Sequence, residues 1–386
     1  MKKFIAMLMC MALLLSCFSG CAPKITVTTD DTIKIGVFEP LTGANAAGGE
    51  LEVEGMKIAN ELYPEVLGKK IELVVVDNKS DKAEATTAVA RLIEKEKVSA
   101  ILGSWGSGFS IAAGDLVKTN KVPAIGASCT NPMVTQGNEY YFRVCFLDPF
   151  QGTVMANYAS KSLGAKKAAI IQEVSNDYSV GLASFFVDAF KKLTGDDTCI
   201  VATANYNTGD QDFNSQLTTV LEKNPDVIFA PGNFTESAMI IKQARKLGSK
   251  VPIIGGDTWE TDEFINVGGA DVEGTVLSTF FDDTNPITKE ATKFLDAYKA
   301  KYPDKNVAAV SALGYDAYLL AYKAIEAAGS SDPVKVRDAI ASIKDMEGVT
   351  GIINLTAEGD ADKDTAVIKV VKDGKFVFQE NMKVDK

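Results

Sequence analysis

Hydrophobic positions in this chain fall into short β-branched runs, each followed by polar or glycine-rich residues and then by a stretch with helical spacing of its apolar positions. Residues 33–39, 71–77, 100–104 and 122–126 are the first four runs. The rhythm restarts at 168–171 and continues through 199–204, 227–230 and 251–254. Strands that alternate with amphipathic helices predict a parallel sheet covered on both faces. The restart predicts two such units, an α/β chain of two doubly wound parallel-sheet lobes. Residues 142–149 read as a strand running into a proline-bearing link, and a second link of that kind follows Phe280-Phe281 at 282–286. A helical tract covers 288–344, broken at Pro303 and at 329–333. Residues 351–355 and 366–371 close the chain as strands, the last with an Asp373-Gly374 hairpin turn. The expected partition is 33–146 with 284–360 in one lobe and 147–283 with 361–386 in the other. Links at 146–149, 279–286 and 359–364 would then form a multi-strand hinge.

The N-terminus follows a different pattern. Met1-Lys2-Lys3 is basic, residues 4–15 are an apolar run too short to span a bilayer, and Phe18-Ser19-Gly20 places small residues before Cys21. This order predicts an export signal over 1–20, lipidation of Cys21 and a tethered linker over 21–32. Cys17 is a second near match to such a box, and a plain signal peptide with Cys21 as an ordinary thiol is the alternative. No later run approaches the roughly 20 apolar residues of a membrane span. The expected location is the outer face of the cytoplasmic membrane, held there by lipid.

Composition removes several function classes. The 386 residues are enough for about two domains. A formal net charge of −11 opposes binding to nucleic acid. The chain has no His, which takes away the usual general base, the Ser/His/Asp and Cys/His nucleophile pairs and the commonest zinc ligand. No catalytic group, metal or cofactor is expected. Past Cys21 the cysteines are Cys129, Cys145 and Cys199, without CxxC spacing, and are read as buried free thiols.

In doubly wound sheets ligands settle at the carboxyl ends of strands, where helix N-termini leave N–H groups unpaired. Here those ends carry Leu41-Thr42-Gly43, Trp105-Gly106-Ser107-Gly108 and Ala127-Ser128-Cys129-Thr130-Asn131-Pro132. Small hydroxyl residues and glycines at several strand ends predict an anion site. The glycine spacing is not GxGxxG and no P-loop Lys follows, so a nucleotide is not expected.

From Ile33 to Val377 the chain resembles the leucine/isoleucine/valine-binding family of solute-binding proteins of ABC importers, with the type I periplasmic binding protein fold. The resemblance rests on the order and spacing of residues 35–43, 101–104, 130–132, 141–144, 177–183, 242–245 and Tyr315-Asp316-Ala317. It implies that Ser107, Ser128 and Thr130 hold the α-carboxylate of an amino acid and that Asp257 holds its α-ammonium, with Tyr178 as an aromatic neighbour. Hydroxyl donors for the carboxylate and an anionic acceptor for the ammonium suit a zwitterion. The chain departs from the family at Gly48 and Asn233, where tyrosines are expected, and Trp105 is larger than the residue usual there.

Trp105 is read as a pocket wall, and Trp259 as either wall or core. Asp257 could instead cap the following helix. Tyr315 and Asp316 are expected to pack and to hydrogen-bond between lobes. The resemblance implies a monomeric, lipid-anchored receptor that captures a small amino acid and delivers it to ABC permease subunits without any reaction. A receptor for another small carboxylate or amide, a receptor feeding a sensor, and an exported α/β enzyme are the alternatives.

Overall fold

The computed structural model describes residues 32–384. Cys21, Cys17 and the export signal and tether expected around them lie outside the described residues. The first sheet contains β1 (Thr32–Glu39), β2 (Glu65–Val66), β3 (Lys69–Asp77), β4 (Ala100–Leu102), β5 (Ala124–Gly126) and β6 (Tyr141–Arg143), in the order β2-β3-β1-β4-β5-β6. All its pairings are parallel except the short β2–β3 hairpin. β1 shows why both faces must be covered. Its Ile33, Ile35 and Val37 pack into the main core, whereas Phe38 turns to a second cluster with Val89, Ile101 and Phe109. A strand apolar on both sides is stable only between two layers of helix.

The second sheet contains β7 (Ala168–Glu173), β8 (Ile200–Tyr206), β9 (Val227–Phe229), β10 (Ile253–Gly255) and β11 (Val276–Thr279). A separate hairpin follows, β12 (Met346–Gly348) with β13 (Gly351–Ile353), and then β14 (Thr365–Lys372) and β15 (Lys375–Lys383). The order is β15-β14-β11-β10-β9-β7-β8, parallel from β8 to β11 and antiparallel at β14 and β15. Asp373 and Gly374 both adopt positive φ in the β14–β15 turn, as a tight hairpin demands. The helical tract resolves into Lys289–Lys301, Ala309–Ala328 and Pro333–Ser342. Its breaks fall where proline and glycine place them, and Asp332 caps the last helix by accepting from the N–H groups of Val334 and Lys335, 3.1 Å each.

The α/β architecture of two doubly wound sheets is therefore the one expected. β2, β11 and β12 were not anticipated. β2 is only two residues long, and β11 carries the polar pair Ser278-Thr279 just before Phe280-Phe281, which leaves a short apolar run.

Between the sheets the chain crosses at 144–147, 280–288 and 354–364. The crossings are fastened to one another. The Phe146 ring lies 4.3 Å from that of Phe280, and the Arg143 N–H donates to the Gly359 carbonyl at 3.0 Å. The buried Arg143 guanidinium donates from Nε to Asp360 at 2.6 Å.

Candidate functional site

Each sheet has a switch point, between β1 and β4 in the first and between β7 and β9 in the second, and the strand ends at these points face each other across one cavity. The cavity has a volume of about 270 Å³ and takes its walls from both lobes. Asn45, Trp105, Ser107 and Ser128 come from the first, and Glu173, Asn176, Tyr178, Asn233 and Asp257 from the second. The lobes touch around it. Asn233 Nδ2 donates to Asn45 Oδ1 at 2.9 Å, Lys82 reaches Asp177 at 2.6 Å, and the Trp105 and Phe234 rings are 5.8 Å apart.

On the first lobe, helix Ser107–Asn120 begins at the cavity, so the N–H groups of its first turn have no helical acceptors. Gly106 precedes it with φ of +90°, a conformation that lets the chain turn sharply from Trp105 into the helix. Ser107 Oγ accepts the Asn131 N–H at 3.1 Å, tying this helix to the loop after β5. Ser128 lies in that loop, and its hydroxyl is hydrogen-bonded to the buried Glu52. Arg143 Nη1 braces the same loop through the carbonyls of Cys129 and Asn131, at 2.6 and 2.9 Å.

On the second lobe, Asp257 follows β10 and is almost completely buried. Its Oδ1 accepts from Gln151 Nε2 at 2.7 Å and from the Tyr178 hydroxyl at 2.9 Å, so the two donors fix the carboxyl plane. Burial pushes its pKa up to about 6, while the bonds from Gln151 and Tyr178 pull the other way. A cation brought into the cavity would restore the charged form. The Thr261 hydroxyl, not Asp257, caps the helix Asp262–Gly268, accepting from the Phe264 N–H at 3.1 Å. Asp257 therefore does not cap the helix that follows it.

Of the residues expected at the site, Trp105, Ser107, Ser128, Tyr178 and Asp257 meet at this cavity. Thr130 is fully buried outside the lining, beside Asp148, whose carboxyl burial pushes up to about 8. Trp259 is a core residue, stacked on Phe264 with ring centroids 4.9 Å apart. Tyr315 packs and donates to Glu290 at 2.7 Å. Asp316 accepts from the N–H groups of Val349 and Thr350 in the β12–β13 turn, so its bonds do not run between the lobes. Cys129, Cys145 and Cys199 are buried free thiols, as expected.

Sequence reading missed Asn45, Gln151 and Glu173, and the buried Glu39 and Glu52 behind the first-lobe loops. Gln151 lies two residues past Pro149 in a helix whose pattern gives no hint that one face supports a carboxylate. Gly48 and Trp105 are sterically coupled. A Cβ on Gly48 would come within 2.3 Å of the Trp105 indole, so the missing side chain leaves the space the tryptophan occupies.

Residues 32–375 match the profile of the Periplasmic binding protein family. The chain belongs to this family. Among its relatives, Leu/Ile/Val-binding protein homolog 3 of Brucella melitensis is 30% identical over 353 residues, covering 89% of this chain and 93% of that protein. Of solved structures, the leucine binding protein LivK of Thermotoga maritima is 43% identical with a TM-score of 0.87, covering 91% of this chain and 99% of that one. The branched-chain amino acid transporter substrate binding protein LivJ of Streptococcus pneumoniae, in complex with isoleucine, is 35% identical with a TM-score of 0.84, covering 92% and 99%. This periplasmic binding protein therefore groups with substrate-binding proteins of ABC transporters, and its relatives are binding proteins, not enzymes. No helix among the described residues is long and apolar enough to cross a membrane.

Proposed function

We propose that this periplasmic binding protein captures a zwitterionic amino acid of the leucine or isoleucine type between its lobes and hands it to an ABC permease from a lipid anchor at Cys21. One observation carries the ligand class. Hydroxyl and helix N-terminal donors, Ser107 and Ser128 among them, line the first-lobe wall, and an oriented buried carboxyl, Asp257, stands on the other. A carboxylate suits the first and an ammonium the second. Thr130 would act from behind, as support for the loop that bears Ser128. The cavity is a little smaller than sites for drug-sized ligands, which suits one amino acid. The likeness to LivK and LivJ supports the same reading. The lobes, partitioned near 146–147, 283–284 and 360–361, would open and close about the three crossings.

One observation favours a second ligand type. Asn45, Asn233, Thr208 and Glu173 line the cavity beyond the zwitterion groups, and this polar end would accept a hydrogen-bonding side chain. A thermal-shift screen of the protein amino acids and their deaminated analogues separates these outcomes, because a ligand held only by the native state raises stability by mass action. Stabilisation by branched aliphatic amino acids, with a much smaller effect from 4-methylpentanoate, is the result expected. Stabilisation by a polar amino acid alone would select the second reading. No response to any amino acid would contradict both.

A further inference from the structure

Two fully buried carboxyls lie behind the first-lobe wall of the cavity, Glu39 from the end of β1 and Glu52 from helix Ala46–Leu62. Glu39 Oε2 accepts the Trp105 N–H at 2.7 Å, and Glu52 Oε1 is bonded to the Ser128 hydroxyl. Their remaining oxygens, Glu39 Oε1 and Glu52 Oε2, are buried with no other partner, and the two side chains are within hydrogen-bonding reach of each other. Two carboxylates cannot hydrogen-bond without a proton between them, and leaving both buried and ionised would be strongly unfavourable.

We propose that Glu39 and Glu52 form a proton relay that makes Ser128 a donor toward the carboxylate of the bound amino acid. In the relay the Glu39 hydroxyl donates to Glu52 Oε2, the Glu52 hydroxyl donates to Ser128 Oγ, and Ser128 is left with its own O–H for the cavity. Glu39 Oε1 and Glu52 Oε2, otherwise unpaired, then have a partner in each other. Loss of the Glu52 proton reverses the last link. Ser128 must then donate to Glu52, and it presents only lone pairs to an incoming carboxylate. Glu39 and Glu52 are thus positioning residues, acting through Ser128.

Burial favours the neutral pair, while the hydrogen bonds from Glu39 and Ser128 pull Glu52 the other way. Burial holds Glu39 well above the usual carboxylate range and raises Glu52 to about 7. The titratable groups facing the pair are Asp257 across the cavity, Cys129 in the loop and Tyr141 on β6, all of which disfavour added negative charge. Arg143, the nearby cation, is already engaged by Asp360.

The inference rests on the amino-acid reading for its ligand, and two measurements separate them. Infrared titration of the ligand-free protein should show a protonated-carboxyl band that fades above neutral pH and is reduced in Glu52→Gln. Calorimetry with L-leucine from about pH 6 to about pH 9 should show affinity falling by up to about tenfold per pH unit above Glu52's value. Glu52→Gln should bind L-leucine with its alkaline loss abolished, because the amide donates to Ser128 permanently, whereas Glu52→Ala should be weak throughout. No band assignable to the pair, or an alkaline loss identical in wild type and Glu52→Gln, would overturn the relay. A titrating band without any L-leucine heat would support the protonated pair and contradict the leucine reading instead.

Discussion

At Gly48 the shape of the cavity is decided by an absent atom. A Cβ there would lie 2.3 Å from the Trp105 ring, and Trp105 is itself held against Phe234 of the other lobe. Gly48→Ala should therefore displace the indole into the cavity, with overpacking that costs about 1–3 kcal/mol, or roughly tenfold to a hundredfold if it falls on ligand affinity. Trp105→Leu should relieve the clash, so the double variant should bind L-leucine better than the sum of the single effects predicts. Strict additivity in a calorimetric double-mutant cycle would show that the two residues are not coupled. At this scale the chain was partly legible. Residues at strand ends, such as Ser107 and Ser128, could be picked out by position because strand ends meet the cavity, whereas Asp257 was implied by the family resemblance. Glu52 could not be picked out, because it reaches Ser128 from within a helix, away from any strand end.

Among the elements, the crossings between the sheets depend on Arg143. One guanidinium joins the end of β6 to Asp360 in the third crossing, and it also donates to Thr135 Oγ1 at 2.6 Å and to the carbonyls of the loop after β5. Asp360→Asn would leave that buried charge unpaired. A loss of about 3–5 kcal/mol in urea unfolding is expected, since removing one partner of a buried pair leaves the other desolvated. A change below about 1 kcal/mol, the range of exposed pairs, would mean that water reaches the guanidinium. Strands and helices were legible in the sequence because their periodicity is local, and the first two helices of 289–342 end at Pro303 and Gly329 as the sequence predicts. β2 and β12 were not legible: they exist through pairing with partners downstream, a tertiary effect that no local pattern carries.

Over the whole molecule, the buried carboxyls make stability depend on pH in a stated direction. Burial raises Asp257 to about 6, Glu52 to about 7 and Asp148 to about 8. The folded protein keeps protons that the unfolded chain has already released above the ordinary carboxylate range. Their contribution is fully present below about pH 4 and is lost as pH rises through the folded values, by up to about 1.4 kcal/mol per pH unit for each group. The melting temperature of the ligand-free protein should fall from about pH 4 to about pH 8 and level off above. A flat profile would mean that these groups ionise in place with little penalty. An ammonium beside Asp257 would restore its charged form and flatten part of that fall.

The two-lobed architecture followed from the restart of the strand–helix rhythm, whereas the meeting of Trp105 and Phe234 across the cleft depends on how the lobes close and could not be read from either segment alone. In the proposed function, one ligand joins donors on the first lobe to Asp257 on the second. Calorimetric titration of wild type and Asp257→Ala with L-leucine and with 4-methylpentanoate tests it most directly. L-leucine should bind wild type and lose about tenfold to over a hundredfold in the variant, while 4-methylpentanoate binds both weakly and equally. Equal losses for the two compounds, or L-leucine affinity unchanged by the substitution, would contradict it.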